Sequence, residues 1–123
     1  MVDESFYTLQ NIQQATPMRS LCTITFNPAH EIFKAHFPGN PIIPGVCCVE
    51  IVRQAVGNML DTDLRISVVK NLKFISLMTP AVNKSFVFDM VVAETAENQY
   101  SVKVTVTQAT AVMTKMSLVC HKS

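Results

Sequence analysis

At 123 residues, with 49% hydrophobic and 15% charged side chains, the chain can bury one core, has no comfortable room for a second domain, and is far from disordered composition. A formal net charge of +1 without a dense Lys/Arg cluster argues against nucleic-acid binding. The longest apolar run, broken by Glu50 and Arg53, is too short and polar to span a bilayer, and the opening MVDESFYTLQ has two acids where a signal peptide needs basic residues, so the expected location is cytoplasmic.

FYTLQNIQQA and RSLCTITFN flank TP. The second alternates Leu21, Thr23 and Thr25 against Cys22, Ile24 and Phe26, the period of a half-buried strand, and the two predict an antiparallel pair. NPAHEIFKAHFPGNPIIPG is rich in proline and glycine and is expected to be largely irregular, a loop of functional length. From Pro44 to about Leu60 no proline intervenes, and Pro44 suits a first helical turn, where its missing N–H would be unpaired anyway. One helix is predicted there. After DTD, period two returns: LRISVVKNLKFISLM, KSFVFDMVVAET and QYSVKVTVTQATAVMTKMSLVC supply four more strands, with breaks at TPAVN, AEN and near QAT. Val102, Val104 and Val106 share one face and Ser101, Lys103, Thr105 and Thr107 the other, so the sheet has a dry side that needs a cover. GVCCVEIVRQAVGNML, apolar around most of its circumference, is that cover. A long helix wrapped by a curved antiparallel sheet of five to six strands is the hotdog architecture, an α+β fold, expected here as a single domain over residues 1–123.

Cys22, Cys47, Cys48 and Cys120 lack CxxC spacing, which argues against zinc and disulfide frameworks and for buried free thiols. Glu50, in the core helix, must be paired, neutral through a raised pKa, or facing a cavity. It shares a helical stripe with Val46, Gln54 and Gly57, which could line a slot; an ion pair with Arg53 at i+3 is the plainer alternative. His36 stands between prolines and glycines that stiffen the loop, as a positioned base requires, whereas His30 and His121 read as structural or surface residues. At Gly45 the helix begins, with unpartnered amides and no side chain to obstruct a ligand oxygen. A histidine, a buried acid and free amides suit proton abstraction beside a carbonyl.

HFPGNPIIPGVCCVEIVRQAVG resembles the signature of the FabZ/FabA-type 3-hydroxyacyl-[acyl-carrier-protein] dehydratases, in which HFPGxPxxPG precedes a helix bearing the acid. The histidine-to-acid spacing from His36 to Glu50, both Pro-Gly pairs and the glutamine at Gln54 match, and Lys73, Phe74 and Pro80 resemble that family's KF-to-Pro segment. The resemblance implies a homodimer, able to assemble further, with each active site shared between subunits. His36 would take the C2 proton of a 3-hydroxyacyl thioester, the amides of Gly45 and Val46 would bind the thioester oxygen, and Glu50 would protonate the leaving 3-hydroxyl. Phe37, Pro38, Gly39 and Pro44 would form the substrate loop, with Gln54 orienting Glu50. A glutamate as the acid is closer to the FabZ branch. The acyl group would ride on the phosphopantetheine of an acyl carrier protein, with no cofactor or metal of the enzyme's own. The apolar neighbours Val46, Cys47, Val49 and Ile51 are expected to keep Glu50 protonated.

Two departures from that family are visible: Ala35 stands where glycine usually precedes the histidine, and the chain starts almost at a strand, which implies a more open acyl tunnel. Lys34, Arg53, Lys70, Lys73 and Lys84 are candidates for docking an acidic carrier, against a reading of each as a solvated surface cation. A hotdog acyl thioesterase and a non-catalytic acyl-binding module are the competing functions.

Overall fold

The computed structural model describes residues 5–35, 39, 41–81 and 83–123. The alternating segment becomes β2 (Arg19–Phe26), and its neighbour becomes β1 (Tyr7–Thr16); a short helix α1 (Ile32–Ala35) and the long α2 (Gly45–Leu60) follow. The remaining strands are β3 (Leu64–Phe74), β4 (Phe86–Ala96), β5 (Gln99–Gln108) and β6 (Ala111–Lys122). All pair antiparallel in one six-stranded sheet of order β1-β2-β4-β5-β6-β3. This is the expected hotdog fold.

Period two decides which side is dry. Cys22, Ile24 and Phe26 of β2, Phe86, Phe88 and Met90 of β4, and Val102, Val104 and Val106 of β5 are all buried. They meet Cys47, Cys48, Val49, Ile51, Val52 and Val56 of α2. Burying an aliphatic or aromatic side chain of this kind contributes about 1.5–3 kcal/mol, so this sheet-to-helix layer dominates the stability. All four cysteines are free and buried, as their spacing implied; burial pushes the Cys48 thiol up to about 12, leaving it a small apolar side chain.

Residues 27–35, ahead of α2, are more ordered than their composition implied. Phe33 is buried, so the chain turns helical at α1 to bring it inward. Phe6 anchors the region, stacking on Phe33 at 5.6 Å and meeting Phe26 edge-on at 5.4 Å. His30 has the structural role expected of it, accepting the Ile32 amide at Nδ1 (3.1 Å) and packing edge-on to Phe6. Pro44 also differs from expectation: its ψ of 141° is extended, which makes it the N-cap, and Gly45 begins the helix.

At the other end Asp61 takes the left-handed conformation (φ 53°), and the Thr62 amide closes back on the Gly57 carbonyl at 3.0 Å. A Cβ at Gly57 would lie 2.9 Å from the Thr62 carbonyl oxygen, a backbone atom with little freedom to retreat. Alanine is intrinsically the better helix former by about 1 kcal/mol, yet Gly57→Ala is expected to lose about 1–3 kcal/mol net. A lowered urea midpoint at unchanged slope would report it.

Candidate active site

The start of α2 is fixed from two directions. The Ile43 amide donates to the Met78 carbonyl at 2.8 Å, joining the loop before the helix to the segment after β3. Phe74, the last residue of β3, lays its ring over Gly45: a Cβ there would stand 2.6 Å from Cζ. The missing side chain therefore makes room for Phe74, where the sequence had implied room for a ligand oxygen. The amides of Gly45 and Val46 lie in the first turn, ahead of the intrahelical bonds, whose earliest are Cys47 and Cys48 to the Pro44 carbonyl (3.1 and 3.4 Å). Helix polarity favours negative charge there.

One turn further on stands Glu50, in a hydrogen-bonded network that runs through α2 to β1 and β3. Arg53 Nε donates to both carboxylate oxygens at 3.0 Å, and its Nη2 donates to Oε1 at 2.5 Å. The remaining Nη1 donates to the Leu64 carbonyl at the start of β3 (3.1 Å). Gln54 Nε2 donates to Glu50 Oε1 at 3.5 Å, and the Tyr7 hydroxyl of β1 donates to Gln54 Oε1 at 3.1 Å. The Arg53 guanidinium holds the Glu50 carboxyl below the usual carboxylate range, its hydrogen bonds outweighing the opposing effect of partial burial. Burial raises the Tyr7 phenol, keeping it a neutral donor.

This corrects the expected state of Glu50. The acid is neither enclosed nor neutral: its side chain is 31% exposed and that of Arg53 30%. The apolar neighbours that were to desolvate it point elsewhere, with Cys47, Val49 and Ile51 turned into the core and Val46 64% exposed. The i+3 ion pair is the reading that holds. It also removes Arg53 from the candidate docking cations, and Lys84 is engaged by Thr79 Oγ1 at 2.9 Å.

A cleft of about 510 Å³ opens beside this network between β1, β2 and the C-terminal half of α2. Arg53, Gln54 and Tyr7 line its polar side, and Leu9, Ile12 and Met59 its apolar side. Of the expected substrate loop, Gly39 takes the left-handed backbone (φ 87°) that its residue type permits. His36, Phe37 and Pro38 lie outside the described residues. Among the described residues the structure thus brings Glu50 and Gln54 together with Tyr7 and Arg53. Tyr7 has no signal in the sequence, because its partner is 47 residues away.

One long helix, α2, wrapped by a six-stranded antiparallel sheet, with first-turn amides and an acid along that helix, defines a hotdog protein. The chain belongs to the ApeI-like dehydratase family, whose model, described as ApeI dehydratase, matches residues 12–115. A 3-hydroxyacyl-[acyl-carrier-protein] dehydratase FabZ of Ehrlichia chaffeensis is 43% identical over 53 residues, 41% of this chain and 36% of that protein. The chain thus spans about a third of the length of the curated relatives it matches first, 36% in each. A chain of the dehydratase heterocomplex ApeI:P from Xenorhabdus doucetiae superposes with a TM-score of 0.79 at 15% identity, covering 94% of this chain and 97% of that one. A hypothetical thioesterase with coenzyme A from Streptococcus pneumoniae gives 0.68 at 11% identity, with 98% and 89% covered. At such identities the structural likeness is one of fold.

Proposed function

We propose that the chain dehydrates a 3-hydroxyacyl thioester, carried on an acyl carrier protein, to the trans-2-enoyl thioester and water, in the cytoplasm, in fatty-acid or polyketide-like synthesis. One observation carries this reading: the stretch from His36 to Gln54 lies inside the part matched by the dehydratase family, and the structure sets its first-turn amides and its acid along one helix. His36 takes the C2 proton, the amides of Gly45 and Val46 receive the negative charge that develops on the thioester oxygen, and Glu50 engages the 3-hydroxyl, with Gln54 fixing its orientation. Phe37, Pro38, Gly39 and Pro44 shape the loop that meets the substrate.

The active unit is a homodimer paired along β3. That strand is at the sheet edge, and Val68, Val69, Leu72 and Phe74 on it, with Ile75 and Leu77 beyond it, are exposed apolar side chains. An uncovered apolar edge of this kind is a pairing surface. The site is then shared, with His36 of one subunit facing Glu50 of the other.

A 3-hydroxyacyl thioester of a carrier protein, incubated with the chain, tests the reaction. The expected product is the conjugated enoyl thioester, followed by its absorbance; free thiol without enoyl product would instead establish a thioesterase. Absence of both, with carrier-protein and coenzyme A thioesters alike, would leave an acyl-binding module.

A further inference from the structure

We propose that Arg53 is a positioning residue that keeps Glu50 a carboxylate throughout the reaction, so that Glu50 accepts a hydrogen bond from the 3-hydroxyl, and then from the water it becomes, and does not donate the proton. The inference rests on the dehydratase reading above and specifies how its acid works.

The geometry carries it. Glu50 Oε1 receives three N–H donors, Arg53 Nε and Nη2 and Gln54 Nε2, and Oε2 receives Arg53 Nε. A proton on Oε1 would point into those donors, and on either oxygen it would remove the negative charge that faces the guanidinium, leaving an ion–neutral contact in place of an ion pair. Arg53 is itself held, because Nη1 is bonded to the Leu64 carbonyl of β3, which fixes the guanidinium beside the carboxylate. Around the pair, Asp63 and Cys120 act on Arg53 from the turn before β3 and from β6, and Asp63 reinforces its positive charge. From β1, Tyr7 reaches Glu50 through Gln54, which donates to it. These are the polar and titratable groups that act on Glu50 and its partner among the described residues, and none supplies a proton to it.

A carboxylate at this place leaves the proton with His36. The imidazole takes the C2 proton, and the C–H electron pair enters the enolate. The C3–O bond breaks as C2=C3 forms, and the same proton passes from His36 to the departing oxygen, giving water. His36 and Glu50 both end the cycle in the states in which they began it. The work of Glu50 is to hold the hydroxyl and the nascent water against the C3 side.

Arg53→Met and Arg53→Lys test the role, with carbon-13 NMR titration of the Glu50 carboxyl beside steady-state kinetics on a 3-hydroxyacyl carrier-protein thioester. In the wild type the carboxyl is expected to titrate below the ordinary range, in Arg53→Met to rise toward it, and in Arg53→Lys to lie between. Turnover by Arg53→Met is expected to fall at least about tenfold near neutral pH, where Glu50 is still ionised but no longer held in one orientation, with KM little changed and the deficit growing below pH ~5 as Glu50 protonates. The lysine variant should restore part of kcat. A proton donor freed from its arginine would behave in the opposite sense, so turnover rising in Arg53→Met, most at low pH, overturns the proposal. An unmoved Glu50 titration overturns it too, whatever the kinetics. A wild type that forms no enoyl thioester overturns instead the dehydratase reading, while the titration still reports whether Arg53 governs Glu50.

Discussion

His36→Ala and Glu50→Gln each lower turnover of a 3-hydroxyacyl thioester by about 10²–10⁴-fold, the range for losing a positioned acid–base group, with far-UV circular dichroism and unfolding temperature near wild type. Glutamine keeps the shape of Glu50 and a hydrogen-bonding group but removes the charge that Arg53 binds through three contacts. Because the proposed site takes one group from each subunit, the two inactive proteins should complement. Under random exchange half the dimers are mixed and each has one intact site of two, so about a quarter of wild-type activity returns. No recovery despite proven exchange would place both residues in one subunit. Full activity in both single variants would sink the mechanism.

The second large effect is on assembly. Among the described residues β3 has only β6 as a neighbour, and most of its length is exposed on both faces, as if a cover were missing from each. Placing Val69→Lys and Leu72→Lys together sets two charges on that edge, the device natural sheets use against edge pairing. The double variant is expected to run as a single chain of 13.6 kDa in light scattering, with activity falling at least about 10²-fold through loss of the shared site. A wild type that is itself monomeric at micromolar concentration, yet active, would overturn the dimer.

Much of the fold is legible in the sequence because period two and the proline-free helix are local signals. Cys22, Ile24 and Phe26, or Val102, Val104 and Val106, reveal the dry face without knowledge of any partner strand. The order β1-β2-β4-β5-β6-β3 is not legible, since β3 must cross to pair with β6. The site divides in the same way. Glu50, Arg53 and Gln54 are joined by helical spacing and can be seen together in the chain. The ionisation of Glu50 is not legible, because apolar neighbours in sequence are not its neighbours in space: Val49 and Ile51 face the core behind it. Tyr7 and Phe74 reach the helix only through the folded sheet: no local pattern marks Tyr7, and Phe74, visible in the KF-to-Pro segment, carries no local sign of its contact with Gly45.

The contact between Phe74 and Gly45 also restrains how this chain can diverge. The helix start has no space for a methyl group while an aromatic ring closes β3, with Leu72 Cδ2 a further 3.3 Å neighbour. The two positions are therefore one unit of inheritance: a side chain can enter at 45 only in a lineage that has first shortened or turned aside residue 74. Drift along the outer strand is in this way tied to the first turn of α2, and a side chain at 45 is expected only in homologous chains whose residue 74 is smaller than phenylalanine or turned aside.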